Sequence, residues 1–454
     1  MFSFKPQNVF LFFSLIFGTL FIFLTPPFQA ADEFAHFFRA YQISEGNFFA
    51  RKMNHQVGDF LPASLNKTTL PFGAIPFHPE NKADRKEIFS LLHLPLAPHN
   101  RTFLDFRNTA LYPPPTYLPQ AIGIAAGRIF QLSPLILMYG ARLFNFSVWT
   151  LLVFIAVKTS PVGKWLFAFL SLTPMSLFQA ASVSADTFTN GISLLLVSFL
   201  LKLKSDPVDT VGKKELGILA LLSFLLSVSK PGYLCLALLF FLIPRRKFIA
   251  PLGFFKSFVL VFTPGFLASL AWSLHGKGVF IPLRPIPNIF PDEQLHLILS
   301  HPAVFFSAIG NTIVSDFKFW AEQYVGGLGW LDVRLSWFAP ALLFFFLIFT
   351  ALTDENPSFS FSWKDKALLF FVITLNLLFI FFVQYLTFNA VGSDRIDAFY
   401  GRYLVPLAPP AFLLLYNHRV EAAFGEKFLL PWVLPLVTLV LLGDTVLALS
   451  NRYY

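Results

Sequence analysis

Charge is what this sequence has least of. Only 13% of its 454 residues are Asp, Glu, Lys or Arg, where a soluble globular domain carries about 25%. That deficit excludes an ordinary water-solvated surface and points to a chain embedded in lipid. Cysteine is nearly absent too: Cys235, alone and inside an apolar run, excludes an intramolecular disulfide and a thiolate metal cluster. The chain has no GxGxxG loop, P-loop, zinc-spaced His/Cys set or nucleophile elbow. Dinucleotide, nucleotide and zinc chemistry of those familiar kinds find no support. The net charge of +9 is small for this length and calls for no nucleic acid partner. Its simple cause is Lys and Arg holding cytoplasmic loops in place.

What is present in abundance is hydrocarbon: 56% of residues are hydrophobic and 61 are Phe. Phenyl rings sit readily against lipid tails because they bring no hydrogen-bonding group that must be satisfied there. Apolar runs long enough to span begin near 8–25, 136–157, 164–181, 186–203, 214–229 and 231–243, and continue near 250–273, 337–352, 367–387, 402–416 and 428–448. The expectation is an all-α polytopic membrane protein of about 11 transmembrane helices. The first run is read as an uncleaved span rather than a signal peptide, because its core is long and Phe28 occupies a poor place for cleavage after Ala30.

Short basic loops set the orientation. Lys158 and Lys164, then Lys202, Lys204, Lys213 and Lys214, then Arg245–Lys247 all fall on the side that holds Lys5. By the positive-inside rule that side is the cytoplasm. The scheme requires "YLPQAIGIAAGRIF" (117–130) to lie at the interface as a juxtamembrane helix rather than cross. The chain is then one membrane domain, 1–454, with a long first outer loop at 26–135 containing interfacial helices, a second at 275–336 and a third at 389–401. Large outer loops and minimal inner ones are expected to place the working face outward.

Polar residues gather at that face. In "TPPFQAADEFAHFFRAYQ" (25–42), Asp32, His36 and Arg39 share one face of an expected helix, with Phe34, Phe38 and Tyr41 on another. Two readings stand together: a capped interfacial helix with an ordinary polar face, or a carboxylate pair, Asp32 and Glu33, acting as general base or metal ligand with His36 beside it. "ASVSADTFTNG" sets Asp186 at the outer start of a span, where capping by Ser184 or Asp186 accounts for it, or where the acid binds substrate or an ion. Lys230 in "SVSKPGYL" is a snorkelling cation or an anion-binding one. Arg395 and Arg402, in "DRIDAFYGRYLVPLAPP", suit a phosphate through their bidentate forks. Tyr112 and Tyr117, in the proline-rich "LYPPPTYLPQ", suit the aromatic belt. "PDEQLHLILSHP" repeats the Asp-Glu-x-x-His spacing and reads as a helix start.

Taken in order, "DEFAHFFRAYQISEG", "YPPPTYLPQAIGIAAGR", "SVSADTFTNG", "SKPGYL", "GGLGWLD" and "GRYLVPLAPP" resemble a family of bacterial membrane proteins carrying a domain of unknown function. That family is in turn similar to the C-type (GT-C) glycosyltransferases, which use polyprenyl-phosphate sugars. The resemblance implies a GT-C-like fold and sugar transfer from an outward-facing lipid donor to a cell-envelope glycan, lipid or protein, with inversion. It implies that Asp32 and Glu33 support catalysis or hold a divalent Mg or Mn, with His36 assisting. Arg39, Tyr112, Tyr117, Asp186, Lys230, Arg395, Arg402 and Tyr403 would then bind substrate, the cations clamping the lipid phosphate. The chain departs from some relatives in lacking a large C-terminal soluble domain. The competing classes are a lipid or glycan flippase, whose ionisable groups belong near the bilayer midplane, and a scaffold without convergent acids and bases.

Overall fold

A computed structural model describes residues 4–206, 210–248, 253–283, 287–354, 356, 359–417 and 430–454. Among these residues six helices are long and apolar enough to cross a membrane: Pro6–Leu24, Pro134–Thr159, Ala185–Ser205, Gly253–Val279, Trp363–Phe388 and Leu430–Tyr453. A seventh is reached if Pro291–Ser300 and Pro302–Gly326, bent by 105° at His301, form one broken span. The opening residues of two expected runs, 250–252 and 428–429, lie outside the described residues.

Among the five remaining expected runs, 214–229 and 337–352 are the single α-helices Lys213–Ser229 and Ala339–Thr353, each shorter than 18 residues, and the other three are interrupted or not α-helical. The 164–181 run divides into Lys164–Ser171 and Pro174–Ala180. Pro174 has no N–H to give and drives Thr173 to an extended conformation, so the helix stops and restarts. The 231–243 run is a 3-10 helix over Pro231–Leu242. At a rise of about 2.0 Å per residue, twelve residues reach about 24 Å instead of the 18 Å of an α-helix. The 402–416 run is a 3-10 segment, Gly401–Leu407, followed by the short helix Ala408–Leu413; Pro406, Pro409 and Pro410 explain the irregularity.

The connections define two ends. At one, Lys204 pairs with Asp365 at 2.9 Å and Lys247 Nζ donates to the Leu203 carbonyl at 2.6 Å. There too Asp354 accepts from the Leu166 N–H at 2.9 Å, and Lys366 Nζ donates to the Leu414 carbonyl at 2.9 Å. The basic turns of the sequence therefore share one end. At the other, Thr116 donates to the Ser229 carbonyl at 2.9 Å, Trp330 Nε1 to the Phe28 carbonyl at 3.2 Å, and the Tyr453 hydroxyl to the Gln29 carbonyl at 3.2 Å. The Ala185–Ser205 helix runs the whole way between the ends, about 32 Å for its length.

The first loop adds a small sheet to an otherwise helical chain. It carries a three-stranded antiparallel sheet, Arg51–Met53, Gln56–Pro62 and Arg101–Asp105 in that order. The Gln42 side chain ties this sheet to the helix Glu33–Ser44 by donating to Asp59 at 2.9 Å. After the 3-10 turn Pro114–Tyr117, residues Leu118–Ile129 form a helix packed on Pro134–Thr159. Glycine permits that approach, since a Cβ on Gly123 would lie 2.7 Å from the Gly140 carbonyl oxygen.

Candidate functional site

The end of the bundle opposite the basic turns gathers ionisable residues from four separate stretches of chain. Ser184 begins the arrangement. Its hydroxyl caps the Ala185–Ser205 helix by accepting from the Asp186 N–H at 3.2 Å. With the cap supplied by serine, the Asp186 carboxylate is released for other partners. It faces Lys230 Nζ at 2.8 Å and Arg402 Nε at 3.7 Å, and accepts from Gln179 Nε2 at 3.4 Å.

The two cations are held rather than trailing in lipid. Lys230 follows the C-terminus of the helix Lys213–Ser229, and Pro231 prevents that helix from continuing. Its ammonium lies 4.0 Å from the Tyr403 ring centroid and 5.8 Å from that of Tyr112, within cation–π range. Arg402 lies 5.1 Å from the Tyr400 ring and 5.7 Å from the Tyr403 ring. Its position depends on Gly401, where a Cβ would sit 2.2 Å from the Trp320 carbonyl oxygen. The Gly401 N–H donates to Gln323 Oε1 at 2.8 Å. Side-chain exposure is 14% for Asp186, 18% for Lys230 and 19% for Arg402, so the group is neither sealed nor surface-bound. Among the described residues Arg402 Nε is buried without a hydrogen-bond partner. A guanidinium short of acceptors is a place for an anion.

The helix Glu33–Ser44 supplies the other wall. His36 shares a 2.8 Å hydrogen bond through Nδ1 with the Tyr117 hydroxyl, and its ring lies 6.0 Å from that of Tyr112. Asp32, Asp186, Arg402 and Lys230 are all near enough for their charges to act on it. Burial dominates nonetheless: it lowers the His36 pKa from 6.5 to about 4, against the opposing pull of Asp32. His36 is therefore neutral at neutral pH. Burial also raises the Tyr117 hydroxyl well above its ordinary value.

Asp32 occupies the N-cap position of its helix but makes no side-chain cap hydrogen bond. Its backbone is left-handed, with φ at 60°, and its Oδ1 accepts from Asn108 Nδ2 at 3.0 Å. Strain of this kind costs about 1–2 kcal/mol and collects where a side chain is being aimed. Asp32 therefore does not cap its helix, and at the 185–205 helix the cap is Ser184, one of the two residues the sequence offered, rather than Asp186.

Three expected site residues are engaged elsewhere. Glu33 is fully buried against Arg142, which donates Nε to Oε1 at 2.7 Å and a terminal nitrogen to Oε2 at 2.6 Å. The Val183 N–H also donates to Glu33 Oε1 at 2.9 Å. Arg142 further donates to the carbonyls of Ile22, Thr25 and Pro26, closing the C-terminus of the first span. Glu33 is thus a structural staple, not a free base. Arg39, fully buried, donates to Gln42 and to the carbonyls of Phe48 and Tyr112, and so positions the loop. Arg395 is exposed and pairs with Asp316 at 2.7 Å and with Ser315, on the helix Pro302–Gly326. The Asp32–Glu33 pair consequently offers a divalent cation one available carboxylate. Among the described residues no group of three or more His, Cys, Asp or Glu converges to hold a metal.

Arg142 and Asn108 belong in the account although neither was singled out in the sequence. An Arg inside the 136–157 apolar run was a visible signal, since such residues are seldom idle in a membrane. Asn108 gave none. A further element is an apolar cleft of about 400 Å³ bordered by Phe317, Trp320, Leu404, Leu407 and Phe412. It lies against the same 3-10 segment that carries Arg402.

Several apolar helices, with a cluster of charge at one end, define a multi-pass membrane protein in contact with the lipid bilayer. The family described as "Predicted membrane protein (DUF2142)" matches residues 15–411, and the chain belongs to it. No curated protein matches the chain, and no solved structure does.

Proposed function

We propose that the protein is a GT-C-like membrane glycosyltransferase taking its sugar from an outward-facing polyprenyl phosphate. In this reading all eleven apolar runs cross the membrane, the basic end is cytoplasmic, and the charged cluster faces outward. The observation that carries the reading is the convergence of Lys230 and Arg402 on a single carboxylate, Asp186, with an Arg402 Nε that has no hydrogen-bond partner among the described residues and an apolar cleft lying against the same 3-10 segment. A phosphate joined to a long hydrocarbon needs this pairing of an anion site with a dry groove.

Asp32 takes the proton from an acceptor hydroxyl. The resulting oxygen attacks the anomeric carbon as its bond to the lipid phosphate breaks, and the phosphate leaves with both bonding electrons. Lys230 and Arg402 neutralise the charge that grows on it, and their attraction is strengthened at a site with little water. Single displacement gives inversion. His36, neutral and hydrogen-bonded to Tyr117, orients groups without competing as a cation. The acceptor is a component of the cell envelope.

The test is genetic and chemical together. Asp32→Asn and Arg402→Ala are expected to remove one sugar from the surface glycans of cells in which each variant still inserts. Unchanged glycan composition in both would overturn the reading.

A further inference from the structure

The helix Glu33–Ser44 has a second side. His36 faces the charged cluster, whereas Phe34 and Phe38, four residues apart, line a separate groove of about 740 Å³. That groove is enclosed by the first loop and by the 326–332 turn, which contributes Trp330. Its aromatic wall is ordered: Trp330 stacks on Phe34 at 6.1 Å and 18°, and Phe77 meets Trp330 edge-on at 6.1 Å and 66°. Gln56, Asn66, Thr69 and Asn81 also line the groove, the Asn81 amide donating to the Ala74 carbonyl at 2.6 Å. Among the described residues that line the groove there is no Lys or Arg. Asp105, its one carboxylate, is engaged by Arg107.

The backbone around this groove is unusually constrained. Phe28 and Phe77, at its wall, and Leu331, beside Trp330, have φ of 62°, 64° and 69°. Left-handed geometry is a true outlier for bulky side chains such as these. The turn is pinned by Asp332, which accepts from the Trp330 N–H at 3.0 Å and the Phe77 N–H at 3.3 Å. Arg452 in turn donates to Asp332 at 2.6 Å. The strain is held by a network whose effect is to fix two aromatic rings at the mouth of a polar-edged groove.

We infer that this groove binds a neutral oligosaccharide. A sugar ring has an apolar face of C–H groups, which packs on an aromatic ring, and an edge of hydroxyls, which amides and hydroxyls satisfy as both donors and acceptors. A phosphate would require a cation, and the one basic side chain of the lining, His78, is paired with Glu80 at 2.9 Å. A hydrocarbon tail would leave the amides unpaired. The groove adjoins the catalytic end, since Phe28 and Phe34 bracket Asp32 in sequence, and Asn108, which holds Asp32, follows Asp105 of the lining closely. The role of that sugar as the acceptor rests on the transferase reading, so that the Glu33–Ser44 helix separates acceptor from donor with Asp32 at its tip. The binding itself does not rest on it.

The experiment is isothermal titration of the full chain in nanodiscs with maltopentaose, cellopentaose, mannopentaose and chitopentaose. At least one is expected to bind saturably, with Kd of the order of 1 mM. Phe77→Gly removes a ring while relieving its left-handed strain, so it is expected to weaken binding about fivefold or more without lowering the melting temperature. Trp330→Phe, which keeps a ring, is expected to weaken it less. Arg402→Ala should leave it unchanged. The inference is overturned if none of the four binds up to about 20 mM, or if Phe77→Gly binds as the parent does. Oligosaccharide binding without polyprenyl phosphate binding would keep the groove and remove the transferase reading; the reverse would remove the groove alone.

Discussion

Two carboxylate–cation assemblies lie at the same end of this molecule, and they are built to opposite standards. Glu33 and Arg142 are both 0% exposed, joined by two short hydrogen bonds, with the remaining Arg142 donors taken by three carbonyls. Asp186, Lys230 and Arg402 are partly open, and the Arg402 contact is long, at 3.7 Å. A saturated pair has nothing left to offer a ligand, and loses much if one member is removed. An unsaturated group has capacity to spare. The neighbours Asp32 and Glu33, indistinguishable by residue type, fall on different sides of this divide.

The largest expected effect comes from breaking the saturated assembly. Arg142→Ala strands a buried carboxylate and frees the carbonyls of the first span, costing about 3–5 kcal/mol. It should abolish recovery of folded protein, read by size-exclusion chromatography in detergent; Glu33→Gln should do the same less severely. Both variants are expected to fail before any question of activity arises.

Breaking the open cluster should do the reverse. Asp32→Asn is expected to reduce sugar transfer by about a hundredfold or more, the range of a lost general base, with the melting temperature nearly unchanged. Gly401→Ala tests positioning. The added methyl has no room beside the Trp320 backbone, so Arg402 must shift, and about a tenfold loss of transfer is expected. A milder loss in Asp32→Asn than in Gly401→Ala would contradict the assignment of Asp32 as base.

The smallest effect concerns pH. The folded His36 pKa lies near 4, below its ordinary 6.5. As pH falls through 6.5 the unfolded chain takes up a proton that the folded chain refuses until about 4. Stability is therefore full above the ordinary value and declines down to the lowered one. His36→Asn should flatten the dependence of melting temperature on pH across that window.

How much of this was legible beforehand depended on how local each signal is. Hydropathy reveals apolar runs, because lipid compatibility is a property of each stretch alone. It does not distinguish an α-helix from the 3-10 path of Pro231–Leu242, although Pro174 did announce the break after Thr173. The helix Pro302–Gly326 was read as outer loop because Asp316, Lys318 and Glu322 dilute its hydropathy. The sheet was missed because Gln56–Pro62 contains Gly58 and Pro62 and pairs with a strand some forty residues away, which local pattern does not report. Residue chemistry named the cations and acids as candidates. It could not say that Glu33 turns inward to Arg142 while Asp32 turns to Asn108, because the difference lies in a left-handed backbone and in partners far along the chain.

On the transferase reading, Lys230 and Arg402 receive a lipid-borne phosphate. The most direct measurement is native mass spectrometry of the purified protein titrated with a polyprenyl phosphate, against the same prenol without phosphate. Saturable one-to-one binding of the phosphate is expected, weakened about tenfold or more in Arg402→Ala and in Lys230→Ala, and unaltered in Arg395→Ala. Equal binding of prenol and prenyl phosphate, or a phosphate affinity indifferent to Arg402 and Lys230, would contradict it.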